Sequence, residues 1–205
     1  MVCFDVLGRD ILNTKPLFDG SWVAVASEYD QYNRLKHKSN PYPLGTSPMD
    51  WTTMHYDTLG RVTLINHPID PEHPSQSVSS NIFDGFTAKS TNRKGQLVTQ
   101  IKNAYDEVVS TEDALGSLVY NDYDSTGNLL SVTTTGTAQA QDEPANISVF
   151  MEYDDLGNKI SMNDPDMGYW EYDYNAFGEM VEQRDNKGQR SVMTYDSLTR
   201  LTGRA

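Results

Sequence analysis

The groups in this 205-residue chain that could move protons, hold metals or attack carbonyls are four histidines, one cysteine and 29 acidic residues. His67, Asp70, Glu72 and His73 are the one concentration of metal-ligand types. Their spacing is that of a loop, not the i, i+4 spacing of a helical site or a paired His/Cys site. Pro68, Pro71 and Pro74 between them make a rigid surface loop the better reading. Asp122, Asp124 and Gly127, and again Asp164, Asp166 and Gly168, have a faint calcium-loop look. A true loop needs a Glu at its twelfth position, and twelve counted from Asp164 is Asn175. Cys3 and the histidines (His37, His55, His67, His73) adjoin no nucleophile motif. Acidic residues are too numerous for a carboxylate pair to stand out. These aspartates are therefore expected to form turns, with no cofactor or metal.

The elements that must position them follow from one recurring stretch. Tyr153-Asp154-Asp155-Leu156-Gly157-Asn158 returns as Tyr174-Asn175-Ala176-Phe177-Gly178-Glu179 and as Tyr195-Asp196-Ser197-Leu198-Thr199-Arg200, 21 residues apart each time. A fixed period in this range signals repeat architecture. Asp or Asn opens each turn by accepting a hydrogen bond from the backbone two residues on, and Gly supplies positive φ near its close. Runs of four to seven β-branched and aromatic residues lie between the turns, which is strand length. Each repeat reads as two short strands and two tight turns.

Earlier copies are Phe4-Asp5-Val6-Leu7-Gly8-Arg9, Tyr29-Asp30-Gln31-Tyr32-Asn33-Arg34, Tyr56-Asp57-Thr58-Leu59-Gly60-Arg61 and Tyr123-Asp124-Ser125-Thr126-Gly127-Asn128. Asn33 replaces Gly and tolerates the same left-handed backbone. Ile82-Phe83-Asp84-Gly85-Phe86 is a degenerate copy. Counting back 21 from Tyr123 puts Lys102 in the tyrosine position, Asn103 in the aspartate position and Asp106 in the glycine position, so the Tyr105-Asp106 pair is out of register. Loops are expected at 39–50 and 66–77, each holding three prolines. An inserted polar loop is expected at about 133–146, because Tyr123 to Tyr153 is nine residues over the period. Asn146-Ile147-Ser148 within this stretch fits a glycosylation acceptor.

Bulk properties narrow the function. A formal net charge of −13 excludes a nucleic-acid backbone or an anionic membrane as partner. No run of 18 apolar residues exists. One cysteine excludes a disulfide framework. With 10% aromatic residues the chain does not read as disordered. Trp170, Tyr172 and Tyr174 alternate on one strand face; they read as packing between repeats ahead of a carbohydrate-stacking stripe. The recurring tyrosine is expected to pack on the next repeat.

The Tyr-Asp-x-x-Gly-Arg/Asn pattern, followed by an apolar strand, resembles the YD-repeat (Rhs) family of large bacterial secreted or surface proteins, over nearly the whole chain. The resemblance implies an all-β fold: tandem β-hairpins forming a continuous, curved antiparallel sheet, an arc or spiral of a hollow shell. In Rhs and toxin-complex proteins such a shell encloses a C-terminal toxin. Residues 1–205 are then one repeat region, a segment of something longer. Its partners would be further repeats and an effector. Asp164-Pro165-Asp166-Met167-Gly168 reads as an ordinary turn, not as the family's self-cleavage site. A cell-surface adhesion or glycan-binding module is the alternative, and a hydrolase has only charge behind it. Open strand edges would favour self-association.

Overall fold

In the computed structural model, residues 1–136 and 146–205 are described. They are strands and turns, apart from one 3₁₀ turn at Pro74–Gln76. No helix among them is long and apolar enough to cross a membrane. The chain divides into two compact units, Met1–Val98 and Thr99–Ala205.

The first unit contains β1 (Val2–Phe4), β2 (Asp10–Pro16), β3 (Trp22–Tyr29), β4 (Leu35–Ser39), β5 (Tyr42–Pro43), β6 (Trp51–Tyr56), β7 (Val62–Asn66), β8 (Val78–Asp84) and β9 (Thr87–Thr91). Each pairs antiparallel with the next in a meander, except at β5. There β4 pairs onward with β6, while β5 lies against β3 through Val23↔Pro43 and Ala24↔Tyr42. The stretch 39–50 is therefore not all loop. Pro43 can occupy this position because a two-residue edge strand tolerates a missing donor. The 66–77 loop is pinned at its base, where Asn66 pairs with Val78 and the His67 amide donates to the Ser77 carbonyl at 2.7 Å.

β10 (Leu97–Lys102) runs into the second unit. It is followed there by β11 (Val108–Glu112), β12 (Leu118–Tyr123), β13 (Leu129–Thr135), β14 (Ile147–Tyr153), β15 (Lys159–Asp164), β16 (Gly168–Tyr174), β17 (Met180–Arg184), β18 (Arg190–Tyr195) and β19 (Leu201–Arg204). All are joined antiparallel in chain order. The insertion expected at about 133–146 is shorter at its start, since Thr133–Thr135 pair with β12; most of it lies outside the described residues. Each unit is thus an antiparallel sheet of sequential hairpins.

The sheet has almost no buried core. Ala24 is the one fully buried hydrophobic side chain among the described residues. Alternation along β16 leaves Trp170, Tyr172 and Tyr174 half-buried on one face and Tyr169, Glu171 and Asp173 exposed on the other. The more covered face is built from cross-strand rows such as Met151–Met162–Trp170 and Asn121–Val132–Val149. Contacts of that kind contribute about 0.2–1 kcal/mol each, so the backbone ladder and the turns carry an unusual share of the stability.

The turns follow one plan. At Asp5 the amide donates to the Arg9 carbonyl and the Gly8 amide donates back to the Asp5 carbonyl, both at 3.0 Å. This is a type I turn closed by a left-handed residue, and the ladder slips by one residue beside it. The slip recurs next to Phe4, Tyr29, Tyr56, Lys102, Tyr123, Tyr153, Tyr174 and Tyr195. Gly157 takes φ 81° here, whereas Asn33, Asp106 and Thr199 hold the same conformation at 67°, 68° and 62°. Asn and Asp visit this region readily; a β-branched residue does so only under strain.

Two substitutions check this. A Cβ at Gly157 would meet Asn128 Oδ1 at an ordinary 3.5 Å, so only the backbone opposes it. Gly157→Ala should destabilise the chain by about 1 kcal/mol in urea unfolding. Thr199→Gly should instead slow amide exchange in the β18–β19 hairpin. A neutral Gly157→Ala would show that the corner does not need positive φ.

Candidate functional site: the tyrosine corners

The residues that sequence marked as metal or catalytic candidates are engaged locally. His67 Nε2 lies 3.0 Å from Ser79 Oγ. Burial, and then Arg93, push its pKa down. His73 Nδ1 lies 3.2 Å from Asp70 Oδ2, and Asp70 Oδ1 accepts the Glu72 amide. Among the described residues no group of three or more His, Cys, Asp or Glu side chains could hold a metal ion. Asp164 accepts the amides of Asp166 and Met167, which is a turn contact. Cys3 is a free, half-buried thiol in the β1–β2 ladder. Trp170 donates to the Met167 carbonyl, and Lys159 lies 5.1 Å above the Tyr172 ring, so the aromatic stripe is already in contact with its own sheet.

What the fold brings together is the corner itself. At its second position, Asp5, Asp30, Asp57, Asp124, Asp154 and Asp196 each accept two backbone amides, two and four residues on. Their second oxygen meets the side chain at the sixth position. That partner is Arg9, Arg34, Arg61 or Arg200, or Asn128 or Asn158. Where the second position is Asn, the sixth is an acceptor: Asn103 donates to Glu107 and Asn175 to Glu179, both at 2.6 Å. The pair exchanges donor for acceptor and stays complementary. Sequence reasoning assigned the aspartate and missed its partner, although both residue types are visible in the repeat.

The aromatic at the first position turns to the preceding hairpin, not to the next. In five corners its hydroxyl donates to the carbonyl of the residue just after the previous corner, whereas the Tyr153 hydroxyl lies 3.9 Å from Met151 Sδ. Tyr29 reaches Asp10 at 3.0 Å, Tyr56 reaches Leu35 at 2.6 Å, Tyr123 reaches Val108 at 3.2 Å, Tyr174 reaches Lys159 at 3.0 Å and Tyr195 reaches Met180 at 2.9 Å. Phe83 has no hydroxyl; Asn81, two residues before it, donates to the Val62 carbonyl at 2.9 Å, as Asn121 donates to the Val108 carbonyl at 2.8 Å beside the Tyr123 phenol. The arginines of the preceding corner stack on these rings: Arg9 on Tyr29, Arg34 on Tyr56 and Arg61 on Phe83, at 4.6, 4.4 and 4.2 Å from the centroids. Burial raises the phenol pKa of Tyr56 and Tyr174, which keeps the donor proton in place.

No family model matches the chain, and no curated protein matches it. Among solved structures it is similar to a TcdB2-TccC3-TEV crystal structure, at 12% identity over 99% of this chain and 18% of that one, TM-score 0.31. It is also similar to TcdB2-TccC3, at 11% identity over 99% and 17%, TM-score 0.29. A third is the Photorhabdus luminescens Tc holotoxin pore, at 12% identity over 98% and 16%, TM-score 0.27. The chain spans less than a fifth of each of those chains.

Two predictions follow from the corner chemistry. Glu179→Arg places a donor opposite the Asn175 amide nitrogen and should lower the melting midpoint by roughly 2–4 °C. Adding Asn175→Asp should restore most of it, read as coupling in a double-mutant cycle; additive losses would show that the pair is not complementary. The second prediction concerns pH. The Arg9, Arg61 and Arg200 amides hold the carboxyls of Asp5, Asp57 and Asp196 below their ordinary 3.8; the side chains of Thr126 and Asn158 do the same for Asp124 and Asp154. A depressed folded-state pKa contributes stability that is fully present above the unfolded value and is lost as pH falls through the folded one. Thermal midpoints should therefore hold from neutrality to about pH 5 and fall below about pH 4. A flat profile down to about pH 3 would remove these carboxylates from the stability account.

Proposed function

We propose that this chain is a non-catalytic structural segment of a bacterial YD-repeat shell of the Rhs and toxin-complex type, secreted or at the cell surface, which encloses a toxin or effector polypeptide. The observation that carries this reading is the phenol-to-carbonyl clamp. It links five hairpins to the ones before them with the same few atoms, at Tyr29, Tyr56, Tyr123, Tyr174 and Tyr195. A sheet joined this way extends by adding identical corners, which is the logic of repeat proteins. The chemistry-bearing side chains of the corner, Tyr, Asp and Arg or Asn, are engaged in these internal contacts, which fits a wall better than an active site. Its partners would be further repeats and the enclosed polypeptide.

The test uses protein made from the complete reading frame. That frame should encode further corners and a segment of unrelated composition. Limited proteolysis of the folded protein should leave that segment intact and degrade it once the repeats are unfolded. Prompt digestion of the segment in the folded protein would overturn the enclosure reading.

A further inference from the structure

Three joints between successive corners are closed by a guanidinium. Arg9, Arg34 and Arg61 each hold the aspartate of their own corner and lie over the ring of the next hairpin, Tyr29, Tyr56 and Phe83. The joint between the Asp124 corner and Tyr153 follows the same plan but lacks this group. Asn128 stands at the sixth position, and its amide nitrogen donates to Asp124 Oδ2 and Thr126 Oγ1 at 2.8 and 2.9 Å. A side chain so short and so held does not cover a ring in the next hairpin. The Tyr153 hydroxyl also stands apart from its counterparts, 3.9 Å from Met151 Sδ, a weak acceptor.

A cavity of about 490 Å³ lies at this joint, with Asp124, Asn128, Tyr153, Asp154 and Asp155 among its walls. The groove at the Tyr56 joint matches it position for position. Its walls are Tyr32, Arg34, Tyr56, Asp57 and Thr58, and it is smaller, at about 360 Å³. Two exchanges separate the sites. Asn128 stands where the other has Arg34, which removes a cation, and Asp155 stands where it has Thr58, which adds an exposed carboxylate. The charge left at the joint is negative. The side chains of Thr126 and Asn128 hold the Asp124 carboxyl well below the ordinary carboxylate range. Burial, and then Asp124, raise the phenol pKa of Tyr153. An aromatic ring flanked by carboxylates suits a planar cation. The chain itself shows the fit: at Tyr56 a guanidinium lies 4.4 Å from the ring centroid, with its Nε 2.7 Å from Asp30 Oδ2.

We infer that the joint at Tyr153 is a binding site for the guanidinium of an arginine side chain on another polypeptide, which takes the place that Arg34 fills at Tyr56. The guanidinium lies over the Tyr153 ring and pairs with Asp155. An ammonium fits less well, because it has no flat face to lay on the ring. The ion pair is solvated, so a single arginine binds weakly, with a Kd on the order of 1–10 mM. The site takes such a side chain whether or not the sheet encloses a polypeptide.

The test is an NMR titration of the isotope-labelled full chain with a blocked tripeptide, acetyl-glycyl-arginyl-glycine amide. The resonances of the Tyr153 ring and of the Asn128 side-chain amide should shift and saturate. The citrulline counterpart keeps the shape without the charge and should leave them in place. Asp155→Asn should weaken binding about threefold. Asn128→Arg supplies the missing group from within the chain. It should abolish peptide binding and move the Tyr153 ring resonances in the direction the peptide moves them in the wild type. Its melting midpoint should not fall, because Asp124 keeps a donor. The inference is overturned by any of three results: no saturable shift at about 20 mM peptide, an equal response to the citrulline peptide, or undiminished binding to the Asn128→Arg variant.

Discussion

The fold depends on one hydrogen bond repeated from hairpin to hairpin, from a tyrosine hydroxyl to the backbone carbonyl just past the previous corner. Each corner is closed by a bulge, and a bulge interrupts the ladder for one residue. A backbone carbonyl beside such a break needs a partner from outside the ladder. The phenol of the following hairpin supplies it, and its ring lies across the corner that created the need. The same event that turns the chain therefore builds the contact that fixes the next turn. At Phe83, which lacks the hydroxyl, Asn81 reaches the Val62 carbonyl, and at Tyr123 the equivalent Asn121 reaches the Val108 carbonyl beside the phenol.

A second constraint sits beneath the first. The residue opening the corner must hold two backbone amides or the type I turn loosens, and an acceptor oxygen is enough for that. Asp and Asn both provide one, which is why Asn103 and Asn175 can stand where others have Asp. What changes is the leftover atom. A carboxylate leaves an oxygen that wants a donor, and an amide leaves a nitrogen that wants an acceptor. Arg or Asn follows the first and Glu follows the second. Arg adds a further contact because its guanidinium is planar and lies flat on the next aromatic ring while still paired with its own Asp. Glu cannot do this, so Asn–Glu corners meet the next hairpin through hydrogen bonds to the carbonyl that follows them, without a stacked guanidinium.

Much of this was legible in the sequence because tight turns have a narrow chemistry. The corner plan, the strand lengths and the displaced register at Asn103 and Asp106 all come from counting turn residues, and Asp106 takes the left-handed backbone that the count assigns it. Other features were not legible, for physical reasons. β5 is held by two register pairs to β3, with neither length nor alternation to mark it. The direction of the tyrosine contact depends on which side of a bulge a carbonyl faces, which no one-dimensional pattern carries. The histidines of the 66–77 loop looked like a ligand set because sequence places them together; in the fold His67 turns to Ser79 and His73 to Asp70.

A sheet with one fully buried hydrophobic side chain among its described residues cannot be stabilised as a globular domain is. Burial of apolar area contributes little at any one position, so the stability of each hairpin is nearly that of its ladder, its corner and its contact with the hairpin before it. Such terms add along the chain in nearest-neighbour fashion. Contacts within each unit are local in sequence, a hydroxyl reaching back 15 to 21 residues, which favours rapid, stepwise formation. It also means that an individual hairpin can open without dissolving the whole. The corners set where that opening stops. Each one fixes a turn by at least five hydrogen bonds that need no partner outside its own five residues, as at Asp5–Arg9, so the turns persist while strands between them exchange. A sheet of this kind keeps its register through local opening because the register is held at the corners, where the bulge sets it, and not in the sparse side-chain rows between them.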